Sequence, residues 1–172
     1  GHAREDWEFD RHTRLAKEML GVPVCMVSLV TSDRQVFVGA CGLPSSLELV
    51  RETPLSHSIC QHAVTRRSML VIGDTLLEPE IAEILSVREY GIRSYLGCPL
   101  MTGEGHVLGS FCVIDYVPRE WTTQEIDQVR EFAALVVQKI EGRMNEARQG
   151  NPFDLVIHDL KPPLSGIMMA SA

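Results

Sequence analysis

Three places in the 172-residue sequence combine residue types that could do chemistry. The first is His158, followed directly by Asp159. A neutral imidazole, with an ordinary pKa of about 6.5, is a nucleophile, and an adjacent carboxylate can accept its proton and orient the ring. Phe153, Ile157, Leu160, Leu164 and Ile167 recur around it in alternating steps of four and three. That is a helical seam, with His158 beside it rather than within it. The second place is Cys60 with His62. On a helix their side chains diverge by about 200°, so they cannot hold one metal ion from one face. His57 and Cys60 could share a face, but two ligands are too few for a closed site, and no metal is expected. A buried, pocket-lining thiol is the expectation for Cys60. The third is the run Arg93, Ser94, Tyr95, with Asp74 and Glu78 in the preceding loop. Arg93 either meets an anionic ligand or pairs internally with Asp74, and periodicity does not decide between them.

The elements that must position these residues can be read from local pattern. Apolar positions from Trp7 to Leu20 predict a helix over about 5–20, ended by Gly21 and Pro23. Val24–Val30 and Gln35–Cys41 predict a hairpin across the turn residues Thr31 to Arg34. A serine among Ser56 and Ser58 can cap a helix running to about Arg67, and Met69–Ile72 reads as a short strand. Glu78–Tyr90, with Pro79 in its first turn and Gly91 after it, predicts one helix. Two longer strands follow, Ser94–Met101 and His106–Asp115, around Gly103-Glu104-Gly105. Thr122 to Glu125 then opens the longest helix, reaching about Arg148. Strands joined by hairpins, with the helices segregated, predict an α+β fold. It is built on a central antiparallel sheet of five to six strands with a long C-terminal helix.

The long helix carries Ile126, Val129, Ala133, Val136 and Ile140 on one stripe, widened by Phe132, Val137 and Met144. A stripe this wide predicts packing on the sheet from one side and on a second copy from the other, a homodimer. The formal net charge is −7, and no basic stripe with interleaved aromatics appears. That argues against nucleic acid and against an anionic membrane surface. No apolar run approaches the roughly 20 residues that span a bilayer. The five cysteines are odd in number and widely spaced, which suits a reducing, cytoplasmic compartment better than a disulfide framework.

Four stretches resemble the GAF domain family of bacterial signalling proteins. They are Ser28 to Gln35; Glu52-Thr53-Pro54 with Ser58, Cys60 and His62; Gly91 to Leu100; and Leu108 to Asp115 with Pro118-Arg119. The resemblance implies a regulatory module with a small-molecule pocket between sheet and covering helices, walled by Ser58 to Val64, Glu78 to Tyr90 and the strand from Arg93. Cys60, His62, Asp74, Arg93, Ser94 and Tyr95 are its candidate ligand-binding residues. Family membership names no ligand or cofactor, since relatives bind cyclic nucleotides, bilins, haem or nothing known. Bilin-binding relatives carry His directly after the attachment Cys, where this chain has Gln61.

The last segment resembles the phosphoacceptor box of histidine kinases, in which His158, Asp159, Leu160, Lys161, Pro163 and Leu164 fit. It implies that His158 attacks a γ-phosphate with Asp159 as its acid–base neighbour, and that a response regulator is the partner. Pro162 departs from the box, where relatives carry Thr, Asn or Ser. Without that side chain or a backbone donor, weak phosphatase activity is expected. The expected organisation is a sensory domain over 1–149 with flanking helices, then a truncated phosphoacceptor segment over 150–172. No phosphate-cradling glycine loop is present, so autophosphorylation is expected only in a longer parent kinase. Two alternatives stand beside this reading. One is a ligand-free GAF spacer that serves dimerisation, and the other is a methionine sulfoxide reductase built on the same scaffold.

Overall fold

The structure is a computed structural model that describes residues 7–146; His158, Asp159 and the whole 150–172 segment lie outside the described residues. Six strands form one antiparallel sheet: β1 (Val24–Val30), β2 (Arg34–Cys41), β3 (Glu52–Pro54), β4 (Leu70–Ile72), β5 (Ser94–Met101) and β6 (Val107–Asp115). Their order is β3-β2-β1-β6-β5-β4, so the two long hairpins lie side by side with β1 against β6 at the centre. Both faces are covered. Val24 and Met26 of β1 therefore pack into one apolar cluster while Cys25, Val27 and Leu29 pack into the other. This explains the almost unbroken apolar character of the central strands.

One face carries α1 (Asp10–Leu20) and α6 (Thr123–Glu146). Helix α6 opens with a reciprocal capping box, in which Thr122 Oγ1 accepts from Glu125 N–H at 3.0 Å and Glu125 Oε1 accepts from Thr122 N–H at 2.9 Å. Val129, Phe132, Ala133, Val136 and Ile140 are buried in the cluster on this face. Ile126, Val137 and Met144 pack partly buried against the same cluster. All eight residues of the wide stripe thus serve the domain's own core. The stripe is wide because α6 meets α1 as well as β5 and β6. Its width accordingly gives no support to a second copy.

The opposite face is covered by shorter pieces: α2 (Ser45–Glu48), α3 (Cys60–Arg66), α4 (Pro79–Ala82) and α5 (Leu85–Tyr90). The expected single helix over Glu78–Tyr90 is two, because Ile84 takes an extended backbone (φ −65°, ψ 135°) between them. That break lets Ile81, Ile84 and Val87 all reach the core of this face. Helix α2 and strand β3 occupy the stretch between the first hairpin and α3.

Candidate functional site

Between the sheet and the short helices lies a cavity of about 40 Å³, room for roughly three waters. Its floor is Val24 and Met26 of β1, Phe37 of β2, Tyr95 of β5 and Ile114 of β6. Ile59, Cys60, Ser86 and Tyr90 close it from the helical side. The rim reaches solvent at His57 and Tyr116, the latter 40% exposed.

Two polar groupings are built into these walls. In the first, Gln35 Oε1 accepts from Ser28 Oγ (3.0 Å) and Ser58 Oγ (2.9 Å), while Gln35 Nε2 donates to Thr53 Oγ1 (2.8 Å). Ser58 Oγ also accepts from Gln61 N–H at 3.1 Å, so the serine ahead of α3 caps that helix and ties it to β2. The network leaves no polar side-chain atom of Gln35 idle, as burial requires.

The second grouping is sulfur-centred. Cys60, at the first position of α3, and Cys112, in the middle of β6, place their Sγ atoms 3.7 Å apart. Tyr95 Oη donates to Cys60 Sγ at 3.3 Å and shares a hydrogen bond with Ser110 Oγ at 3.0 Å. Tyr95, Cys112 and Ser110 are fully buried and Cys60 is 1% exposed. Gly97 makes this possible. A Cβ there would sit 2.5 Å from Tyr95 Oη and 2.7 Å from Ser110 Oγ, so only glycine lets the phenol lie across β5 toward α3. The contact with Cys112, with the hydroxyl groups beside it, draws the Cys60 thiol below the ordinary cysteine range against its burial. Burial, reinforced by the hydrogen bond and charge of Cys60, pushes Cys112 well up.

Of the six candidate ligand-binding residues, Cys60 and Tyr95 line the cavity and touch each other. The other four are engaged elsewhere. Arg93 Nη2 donates to Asp74 Oδ2 at 3.0 Å and to Oδ1 at 3.2 Å, the internal tether that the sequence left open, and it holds the Asp74 carboxyl below its ordinary range. Ser94 alternates to the opposite side of the strand from Tyr95 and donates to Val117 O at 2.8 Å. His62 does not line the cavity, and burial lowers its pKa. Gln35, Ser110 and Cys112 escaped the sequence reading. Cys112 sits 52 residues from Cys60 inside an apolar strand, with no local signal of its partner.

The sequence model of the GAF domain matches residues 8–140 of this chain. The chain belongs to the GAF domain family. Over 137 residues it is 32% identical to a cyclic di-GMP phosphodiesterase of Pseudomonas aeruginosa, an alignment that takes in 78% of this chain and 22% of that protein's length. Two solved structures share the fold. One is the GAF domain of a phosphoenolpyruvate-protein phosphotransferase from Coxiella burnetii, with a TM-score of 0.69 and 15% identity over 86% of this chain and 89% of that one. The other is a domain assigned to a two-component sensor histidine kinase protein from Sinorhizobium meliloti, with a TM-score of 0.63 and 20% identity over 83% of this chain and 95% of that one.

Within this GAF domain, β6 links the two faces. Cys112 packs into the apolar cluster on the cavity side of the sheet, while its neighbour Phe111 stacks on Phe132 of α6 with centroids 5.4 Å apart and ring planes 6° from parallel. At the end of the strand, Arg119 donates to Asp115 (3.0 Å), to Glu125 in the first turn of α6 (2.9 Å) and to the carbonyls of Leu20 and Gly21 that end α1 (3.3 Å each). Its guanidinium also lies 4.7 Å above the Trp121 ring. One cation thus clamps β6, α1 and α6 together, beside the carbonyl end of α1 and the amide end of α6.

Proposed function

We propose that this chain is the input unit of a histidine kinase: occupancy of the cavity shifts β6 against α6, and α6 carries the change toward the phosphoacceptor His158. The observation that carries the sensing half is the seating of one strand between a solvent-reaching cavity and the long helix, through Ile114 on one side and the Phe111–Phe132 stack on the other. Two packed arrangements of that junction, differently favoured by ligand, are what a sensor needs. The output half rests on the His158 to Leu164 box. The Pseudomonas relative is a cyclic di-GMP phosphodiesterase, so the GAF fold alone does not name the output, and this reading of it is drawn from the segment after residue 149.

In this reading the parent protein works as a cytoplasmic homodimer and passes phosphate from His158, assisted by Asp159, to a response regulator. The exposed Leu15 and Met19 of α1 and Leu135 of α6 are the apolar side chains of this face left for a second copy. The output is tested in the longer protein that carries this chain. Incubation with ATP should give an acid-labile phosphate that His158→Gln abolishes, and phosphorylation undiminished in His158→Gln would sink the proposal. Input is tested by thermal shift. A cavity of about 40 Å³ favours small molecules, which should raise the melting temperature where cyclic nucleotides do not. The same small volume supports a second reading, a ligand-free spacer, which predicts that no small molecule shifts the transition.

A further inference from the structure

The sulfur-centred grouping has the parts of a reactive dithiol. Cys60 is the member of the pair that lines the cavity, and Cys112 lies behind it, outside the lining. Tyr95 Oη donates toward Cys60 Sγ, Cys112 Sγ lies 3.7 Å from the same sulfur, and Ser110 Oγ hydrogen-bonds the phenol from behind. Donors aimed at a buried sulfur favour its thiolate, the form that attacks an electrophile. The space is right for a small oxidant, because room for roughly three waters admits hydrogen peroxide and excludes a bulky organic peroxide. The two sulfurs need to close by about 1.7 Å to reach a disulfide bond length of about 2.05 Å, a rotamer-scale movement at the first turn of a short helix.

We propose that Cys60 and Cys112 form a peroxide-responsive pair, in which hydrogen peroxide entering the cavity oxidises Cys60 and Cys112 then closes a disulfide that locks α3 onto β6. The proposal rests on the reading of this cavity as the sensing site and names its chemical input. In the first step Cys60 Sγ attacks one peroxide oxygen and the O–O bond breaks. The leaving hydroxide takes up the thiol proton as water, and Cys60 becomes a sulfenic acid. In the second, Cys112 Sγ attacks that sulfur, the S–O bond breaks, and the hydroxyl leaves with the Cys112 proton as a second water. The sum is two thiols and one peroxide giving one disulfide and two waters. The thiols lose two electrons and the peroxide gains them. A cellular dithiol returns the pair to its starting state by exchange.

The test is mass spectrometry of the full chain after hydrogen peroxide, without reductant. The expected result is a Cys60–Cys112 crosslinked peptide that dithiothreitol abolishes, formed faster than any oxidation of the half-buried Cys41 and Cys98. Cumene hydroperoxide at equal concentration should give far less. Cys112→Ser should stop at a sulfenic acid on Cys60 that dimedone captures, and Cys60→Ser should leave Cys112 reduced. Tyr95→Phe keeps the packing and removes one donor, so crosslinking should slow roughly tenfold. Circular dichroism of each variant confirms the fold before oxidation. Oxidation confined to Cys41 and Cys98 in the wild-type chain would overturn the dithiol, as would equal rates with the bulky peroxide. Neither outcome depends on the thermal-shift screen, so the dithiol can fail while the cavity still proves to bind another small molecule.

Discussion

The two faces of the sheet are built to different rules. On the α1/α6 side, two regular helices lay apolar stripes onto the strands and the space is filled. Phe111, Val113, Val129, Val136 and Ile140 are all fully buried there. On the α3–α5 side the cover is a set of helices of four to seven residues, held by a glutamine–serine–threonine network and a phenol–thiol contact, with a cavity beneath them. Helices this short have little stability of their own and depend on tertiary contacts. The filled face gives the domain rigidity. The patched face can change without unfolding it, which suits a face meant to respond.

Substitutions on the two sides of one strand probe that contrast most directly. Phe111→Ala removes a fully buried ring from the filled face and breaks the stack on Phe132, and should cost about 3–5 kcal/mol in urea denaturation. A cost near 1 kcal/mol would mean that the α6 face is as yielding as its counterpart. Gln35→Ala leaves Ser28, Ser58 and Thr53 without their shared partner, and about 2 kcal/mol should be lost by the same measurement. Native-state hydrogen exchange should show the loss concentrated in α3 and β3. Uniform loss across α6 would refute the independence of the two faces. Cys112→Ala, one residue from Phe111 but beside the cavity, should cost only about 1 kcal/mol.

The smallest effect concerns pH. Burial lowers the His12 pKa on the α1 side, helped by Lys139 and Arg11 and opposed by Glu8, and Nδ1 of its ring has no hydrogen-bond partner among the described residues. A histidine with a depressed folded-state pKa binds its proton more readily when unfolded. Its stability contribution is therefore complete above the unfolded pKa and falls as acid is added below about pH 6.5. The melting temperature should drop between about pH 7 and pH 5, and His12→Phe should flatten that slope. His62, lowered by burial on the other face, adds a drop of the same sign, so the double variant should be flatter still. A slope unchanged in both would exclude these rings.

Much of the framework was legible because it is local. Apolar, β-branched runs bounded by turn residues announced β1, β2, β5 and β6 to within about a residue, and Thr122 with Glu125 announced the start of α6, since the reciprocal cap joins residues three apart. The Glu78–Tyr90 stretch misled because Pro79 and Gly91 mark its outer ends truly. Nothing in its composition announces the extended Ile84, which is set by the need to bury Ile81, Ile84 and Val87 together. The width of the stripe on α6 could not be interpreted from sequence for a related reason: how many surfaces a helix meets is a property of its neighbours.

The sequence by itself determined the family, the antiparallel α+β framework and the long terminal helix, because strand alternation, glycine stops and capping boxes act over a few residues. Tertiary structure alone decided the site. It set Cys60 against Cys112 across 52 residues, laid Tyr95 over Gly97, and paired Arg93 with Asp74. Those pairings follow from which strands become neighbours and how closely α3 can approach the sheet, and packing settles both only once the whole chain has closed on its core.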